Sequence, residues 1–431
     1  MSTPTTRIAF HTMGCKTNFS ETSTISSEMQ RYGYEKVSYK DEADIYVLNT
    51  CSVTENADKE ARKLIRKARR LNPFAKIAVI GCYAQLQPEQ ISKIPGVDLV
   101  LGASEKFNLL SHLNSLNGTN ESKIITSTIK NISSFQPSFT NGERTRSYLK
   151  IQDGCNYNCS FCTIPLARGR SRSDTIENTV KIAQNIADSG AKEIVLTGIN
   201  IGDFGSEKDE SFLQLIMTLD NLKGIERFRI SSIEPNLLSD EIISFCADSN
   251  KFVPHFHIPL QSGSDSILKS MKRRYNTDLY KSRVEYIKEL IPDCCIGVDV
   301  IVGYPGEGEE HFEQTKAFIE SIDISYLHVF SYSQRKDTLA ASLNNQVTKE
   351  HKDYRSKALH ILSNKKQTEF YNQYINTIRP VLVEQSINGK IQGFTDNYIK
   401  VNIDKHLSCQ NTIISVLLND NKGSYMQGEI T

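Results

Sequence analysis

Ser147-Tyr148-Leu149-Lys150-Ile151-Gln152-Asp153-Gly154-Cys155-Asn156-Tyr157-Asn158-Cys159-Ser160-Phe161-Cys162-Thr163-Ile164-Pro165 is the stretch on which the reading of this chain turns. The apolar alternation around Tyr148 and Ile151 predicts a strand, and Gly154 lets the backbone turn into a tight loop. That loop carries Cys155, Cys159 and Cys162 at the spacing C-x3-C-x2-C. Three thiolates so spaced hold three corners of a cubane iron-sulfur cluster and leave one iron without a protein ligand, whereas in the ferredoxin run four cysteines complete the ligation. Phe161, between two of the ligands, suits a cluster shielded from water on one side. A zinc knuckle and three unrelated core thiols are the rival readings. Zinc wants a compact fourth Cys or His, and none follows Cys162 closely.

Working outward, 431 residues with 39% hydrophobic content suffice for more than one core, and two to four domains are expected. A net charge of +1 places any nucleic-acid surface locally, not over the whole molecule. Ten cysteines are too sparse for a disulfide scaffold at this length, and several sit at predicted strand ends, which favours metal ligation in a reducing compartment. Residues 1–10 show no long apolar segment or cleavage site, and no run of 18 apolar residues occurs, so a soluble, cytoplasmic, monomeric protein is expected.

Toward the amino terminus, residues 7–11, 43–51 and 75–82 read as strands separated by helices, and each is followed or closed by a cysteine: Cys15, Cys51 and Cys82. Repeated β-α units predict a parallel sheet, Rossmann-like, whose strand ends share one edge where ligands bind. The three thiols can converge there although they lie 36 and 31 residues apart, which implies a second cluster with an open iron; a buried free cysteine is the rival reading for any one of them. Between them, Ala61, Leu64, Ile65, Ala68 and Leu71 recur at helical spacing, and residues 59–70 hold seven basic side chains against one acid. Phosphate contact through Arg62, Arg66 and Arg69 is one reading of that face, and a merely solvated basic face is the other. Residues 116–145 read as a linker with one edge strand. Arg144, Arg146, Lys150, Arg168, Arg170 and Arg172 bracket the open-site cysteines and predict a cationic rim for an anionic macromolecule.

After the loop, strands at 193–198, 227–232, 253–260, 296–303 and 326–332 alternate with segments of helix length. With the strand before Gly154 they make six β-α units, an open (β/α)6 partial barrel over residues 146–372 with a lateral mouth. Gly198 and Asn200 end one strand, where backbone donors and an amide suit a nucleoside or amino-acid group, although a simple turn explains them equally well. Glu234 follows the next strand, where a carboxylate suits ribose hydroxyls; His255 and His257 are weaker candidates. Cys246, Cys294, Cys295 and Cys409 lack the strand-end placement and read as core or surface thiols. From residue 375 to 431, four or five short strands punctuated by Gly389, Gly393 and Asn397 predict a small oligonucleotide-binding type of β-barrel.

The cysteine loop, with Gln152-Asp153-Gly154-Cys155-Asn156 and Ile164-Pro165-Leu166-Ala167-Arg168-Gly169, resembles the radical S-adenosylmethionine methylthiotransferases. The segments at Met13-Gly14-Cys15-Lys16-Thr17-Asn18, Asn49-Thr50-Cys51-Ser52 and Gly81-Cys82-Tyr83 resemble the three cysteine motifs of that family's amino-terminal domain, here residues 1–115, and the last segment resembles its TRAM domain. The resemblance implies two [4Fe-4S] clusters, one on Cys155, Cys159 and Cys162 that cleaves S-adenosylmethionine and one on Cys15, Cys51 and Cys82 that handles the inserted sulfur. It also implies S-adenosylmethionine contacts from Glu234 and Arg273, a tRNA substrate, and a reductant such as flavodoxin or ferredoxin; the sulfur donor stays open. The motifs look most like the branch that methylthiolates C2 of N6-threonylcarbamoyladenosine at tRNA position 37. Branches acting on isopentenyladenosine or on a ribosomal-protein aspartate are the alternatives, and a non-catalytic iron-sulfur RNA-binding protein is the remote one.

Overall fold

Three strands, Arg7–Thr12 (β1), Glu35–Val37 (β2) and Ile45–Thr50 (β3), with the helix Lys16–Arg31 (α1), open the computed structural model. It describes residues 5–116, 121–129, 132–140, 145–387, 390–404 and 410–431; Arg144, Gly389 and Cys409 lie outside the described residues. The chain continues through Glu55–Leu71 (α2), Lys76–Gly81 (β4), Cys82–Leu86 (α3), Pro88–Ser92 (α4), Leu99–Leu101 (β5), Leu109–Asn114 (α5) and Lys123–Ile125 (β6). The six strands pair in the order β2-β1-β3-β4-β5-β6, every pair parallel. All six positions of β3 are buried, as a strand covered on both faces requires. Tyr46, Leu48, Ile77 and Val79 pack with Ala61, Ile65 and Ala68 of α2. On the other face, Ile45, Val47, Ala78 and Ile80 meet Ile25 and Met29 of α1 and Leu109 of α5.

Strand order reverses at β1 and β3, the switch point where such sheets bind ligands at their carboxyl edge. The edge strands β2 and β6 are three residues long and carry little apolar signal, and the segment expected to be a linker supplies β6 to this sheet. Next come Ser138–Phe139 (β7), Arg146–Lys150 (β8), Gln152–Asp153 (β9), Ile164–Arg168 (α6) and Arg172–Ser173 (β10). Compactness divides the chain into two units: Met1–Glu143 with Tyr148–Ser173 and Ser333–Ala341, and Arg144–Ser147 with Asp174–Tyr332 and Ser342–Thr431. The cysteine loop therefore counts with the amino-terminal sheet, not with the β-α units that follow it.

The second unit runs Ile176–Asp188 (α7), Glu193–Thr197 (β11), Phe212–Asp220 (α8), Arg227–Ile230 (β12), Asp240–Asp248 (α9), His255–His257 (β13), Asp265–Ser270 (α10), Thr277–Leu290 (α11), Cys295–Val302 (β14), Glu309–Ser321 (α12), Tyr326–Ser331 (β15) and Lys349–Asn372 (α13). β11 and β12 pair in parallel, β13, β14 and β15 do likewise, and single parallel bridges, Phe228 to Phe252 and Ser232 to His257, carry the sequence order across. Helix starts follow the local chemistry. Ser211 and Gln214 close a capping box on α8, and Thr175, Asn276 and Thr348 cap α7, α11 and α13.

Thr377–Ile387 (β16), Lys390–Thr395 (β17), Lys400–Ile403 (β18), Ile413–Asn421 (β19) and Met426–Ile430 (β20) close into a barrel in the order β16-β17-β18-β20-β19. Val381, Ile391, Val401, Val416 and Met426 fill it, and Phe370, Tyr371 and Tyr374 join the same core. No helix among the described residues is long and apolar enough to cross a membrane.

Candidate active site

Each amino-terminal cysteine stands where a strand hands over to a helix or loop. β1 ends at Thr12, Gly14 turns with φ +88°, and Cys15 is the N-cap of α1. Cys51 follows β3 directly, and Cys82 opens α3 after Gly81 at the end of β4. A β-carbon on Gly14 would lie 2.7 Å from Cys51 Cβ and 3.0 Å from its sulfur, so only glycine permits this approach. Asn18, in the first turn of α1, donates through Nδ2 to the carbonyls of Met13 (2.8 Å) and Thr50 (3.1 Å), which fixes the backbone entering both cysteine loops.

Cys15 and Cys82 both bear on the ionisation of Cys51, and Cys15 on that of Cys82, which places the three thiols together. Burial pushes the Cys51 thiol up to about 12, the neighbouring Cys82 and Cys15 push the same way, and the Arg168 guanidinium opposes them. Cys82 is raised by burial, with Arg168 the largest opposing influence. Metal binding at such a set expels the thiol protons. Arg335 donates to Ser52 Oγ (2.7 Å) and Asp58 (2.8 Å), bracing the loop just after Cys51. Nothing in the sequence pattern marks Arg335 for this role; its partner segment is 277 residues away.

The second cysteine set is built around Gly154, whose φ is +70° and whose added β-carbon would lie 1.9 Å from the Arg170 carbonyl. Gln152 Nε2 donates to the carbonyls of Asp153 (3.1 Å) and Gly154 (2.7 Å) and to Ser171 Oγ (2.9 Å). The Ser171 N–H donates to Asn156 Oδ1 (3.1 Å), and the Ala340 N–H donates to the Ser160 carbonyl (2.8 Å). Two backbone N–H groups already address the sulfurs: Tyr157 N–H to Cys155 Sγ at 3.3 Å and Ile164 N–H to Cys162 Sγ at 3.5 Å. N–H groups aimed at cysteine sulfur are a usual means of tuning an iron-sulfur centre, so the donor set fits a cluster with an open iron.

Buried charges lie within the same unit. Arg168 reaches Glu21 (3.0 and 3.2 Å), Asp153 (2.9 Å) and Asn18 Oδ1 (2.6 Å); Lys106 reaches Glu21 at 2.6 Å, Lys150 reaches Glu21 at 3.1 Å, and Arg172 reaches Asp153 at 3.1 Å. The expected cationic rim is thereby corrected. Arg168 and Arg172, read as RNA contacts, are buried with Lys150 and cannot touch a phosphate: Glu21, from far away in sequence, takes Arg168 and Lys150, and Asp153 takes Arg172. Arg170 is exposed. In the other unit Arg146 pairs with Glu384 and stacks on Phe394 and Tyr398.

The basic face of α2 also divides. Arg62 donates to Tyr83 Oη (3.0 Å), and Arg69 is held by the carbonyls of Pro73 and Gly96 and by Asp98. Both are half-buried braces, whereas Lys59, Lys63, Arg66 and Arg70 are exposed. Lys59, Lys63, Leu64, Lys67 and Arg70 line one shallow depression, and Lys63, Arg66, Arg69 and Arg70 a second.

In the second unit, the expected nucleoside contacts stand at strand ends: Gly198 and buried Asn200 just beyond β11, Glu234 just beyond β12. Glu234 is ion-paired with Arg273, whose guanidinium also lies 5.0 Å from the Tyr275 ring centre. On three adjacent strands, His257 (2.8 Å) and His328 (3.2 Å) both meet Asp299 Oδ1. Burial would raise Asp299, but these two partners hold it well below the usual carboxylate range. His255 is buried against Tyr326, 3.1 Å from its hydroxyl. Cys246, Cys294 and Cys295 are buried thiols.

Two sequence profiles match the chain, one described as "Uncharacterized protein family UPF0004" over residues 7–102 and one as "Radical SAM superfamily" over residues 149–319. The radical S-adenosylmethionine methyltransferase TsrM from Kitasatospora setae, solved with tryptophan substrate and a S-adenosylmethionine analogue, is similar in fold at TM-score 0.56 and 13% identity, over 75% of this chain and 72% of its own. Fold and cysteine sets together define a radical S-adenosylmethionine protein with a parallel α/β amino-terminal unit. The threonylcarbamoyladenosine tRNA methylthiotransferase MtaB of Bacillus subtilis is 42% identical over 405 residues, 91% of this chain and 89% of that protein. A tRNA-2-methylthio-N(6)-dimethylallyladenosine synthase of Endomicrobium trichonymphae is 35% identical over 395 residues, 90% of this chain and 91% of that protein. The chain belongs to the MtaB-like radical S-adenosylmethionine methylthiotransferase family, for which S-adenosylmethionine and [4Fe-4S] clusters are the cofactors.

Proposed function

We propose that this protein methylthiolates C2 of N6-threonylcarbamoyladenosine at position 37 of tRNA. The observation that carries the reading is the pair of three-cysteine sets within one compact unit, in a chain 42% identical over nearly its full length to a protein named for that substrate. Cys15, Cys51 and Cys82, and Cys155, Cys159 and Cys162, would each hold a [4Fe-4S] cluster, and the two clusters would supply sulfur for insertion and the electron for cleavage of S-adenosylmethionine, chemistry beyond any side-chain acid or base. The residues of the chain hold and orient. Gln152 and Asn156 lock the first loop, Asn18 locks the other two, and Gly198, Asn200, Glu234 and Arg273 receive S-adenosylmethionine at the strand ends. Lys59, Lys63, Arg66, Lys67 and Arg70 of α2, with Arg170, meet tRNA phosphates, and the β16–β20 barrel acts as a TRAM-like RNA-binding domain. The protein works as a cytoplasmic monomer with a flavodoxin or ferredoxin as reductant.

Mass spectrometry of tRNA nucleosides from cells lacking this chain tests the substrate. Loss of 2-methylthio-N6-threonylcarbamoyladenosine, with its unmodified precursor accumulating, is expected. Loss of the methylthiolated isopentenyladenosine, or of a methylthio group on a ribosomal-protein aspartate, would overturn the assignment.

A further inference from the structure

Two arginines and two lysines, Arg168, Arg172, Lys106 and Lys150, share the two carboxylates of Glu21 and Asp153 in a buried network. Cations left in excess in a dry interior need an anion nearby. Among the described residues, Arg168 Nε is buried without a hydrogen-bond partner, although every other nitrogen of that guanidinium is engaged. Its Nη2 holds Asn18, and Asn18 holds the carbonyls of Met13 and Thr50, the backbone leading into Cys15 and Cys51. The helix that carries Arg168, α6, packs on α3, whose first residue is Cys82. Arg168 is thus linked through Asn18, by two hydrogen bonds in series, to two of the cysteine loops and lies beside the third, while its own loop carries Cys155, Cys159 and Cys162.

We propose that Arg168 is the charge-compensating and positioning residue of the Cys15/Cys51/Cys82 centre: its fixed positive charge balances three thiolates and sets the reduction potential of the group they hold. Three thiolates outweigh the positive charge of a cubane core, so the bound group is an anion that becomes more negative on reduction. A buried cation beside it favours the reduced state and raises the potential. An arginine suits the task because its planar fork spends four hydrogen bonds on Glu21, Asp153 and Asn18 and cannot lose its proton. The inference rests on the cluster assignment made above for Cys15, Cys51 and Cys82.

The test uses the full chain with Cys155, Cys159 and Cys162 all replaced by alanine, reconstituted anaerobically so that only the amino-terminal centre forms. Potentiometric titration followed by electron paramagnetic resonance is compared for this parent, for Arg168→Gln and for Arg168→Lys, with thermal unfolding as the check on fold. The expected result is a midpoint potential shifted to more negative values in Arg168→Gln and held near that of the parent in Arg168→Lys. A potential unchanged in Arg168→Gln with its iron retained would overturn the proposal and leave the cluster assignment standing. A parent that binds no iron would overturn both. Should Arg168→Gln fail to fold, Arg168→Met is titrated in its place and read by the same two outcomes, and unfolding of both neutral variants reduces Arg168 to a structural strut and defeats the proposal.

Discussion

Glu21 takes Lys106, Lys150 and Arg168 on its two oxygens, and no solvent reaches it. Burial alone would raise its pKa, but these three cations outweigh burial and hold it well below its ordinary value near 4.5. A carboxyl with a depressed folded pKa adds stability that is complete above its unfolded pKa and is lost as pH falls below that value toward the folded one. Glu21→Gln removes the anion and leaves three buried cations short of a partner, which is expected to cost about 3–5 kcal/mol at neutral pH. Denaturant unfolding of the apoprotein at a series of pH values checks both points: the wild-type protein loses stability steeply below pH 4.5, and the Gln variant follows a flatter curve there. This network was not legible in the sequence. Arg168 and Arg172 stand in a run that reads as a cationic rim, and the acid that meets Arg168 lies 147 residues earlier, in the polar first half of α1.

α1 and α2 show which elements could be read and why. α2 presents Ala61, Leu64, Ile65, Ala68 and Leu71 on one face, is capped by Thr54 accepting from the Ala57 N–H, and places Glu55 and Asp58 early and Arg69 and Arg70 late, so each local signal agrees. The buried side of α1 is polar over its first half, Thr17, Asn18, Ser20, Glu21 and Thr22, and apolar only further on, at Ile25 and Met29. A helix face that packs on cysteine loops and buried charges is polar, and hydrophobic periodicity cannot find it. The strands β11–β15 and the five strands of the barrel were legible within a few residues from their apolar runs and turn residues, and β6 is the edge strand expected within residues 116–145, whereas β2, at three residues, was not legible. The basic face of α2 carries a prediction at this scale. Lys63→Glu with Lys67→Glu and Arg70→Glu weakens tRNA binding and lowers its salt slope, by on the order of one unit for each phosphate that is no longer neutralised. Arg62→Ala, which takes one partner from Tyr83, and Arg69→Ala, which takes one from Gly96 and one from Asp98, instead lower the unfolding midpoint and leave that slope in place. Filter binding over a range of salt separates the two groups.

Taken whole, the chain divides its chemistry between two cysteine sets that are built alike, each with a glycine forced by close packing and each with three sulfurs for a four-iron group. A protein that only cleaved S-adenosylmethionine would need the Gly154 loop and the β-α units, and the family profile that begins at residue 149 spans that part alone. The sheet over residues 7–102 has its own profile and its own thiols, so on the reading proposed above it serves the step that cleavage does not provide, supply of sulfur. The two tasks should come apart under mutation. After anaerobic reconstitution the intact protein should hold about eight iron atoms per chain, and Cys51→Ala and Cys155→Ala about four each, one cubane apiece. Cys155→Ala should yield neither 5′-deoxyadenosine nor methylthiolated nucleoside. Cys51→Ala should still release 5′-deoxyadenosine when given reductant and S-adenosylmethionine, yet leave the tRNA without a methylthio group. Counting iron and sulfide alongside chromatography of the two products makes the decision. If Cys51→Ala methylthiolated tRNA at an undiminished rate, or if the intact protein held only about four irons, the amino-terminal sheet would be a scaffold and the sulfur would have to enter elsewhere.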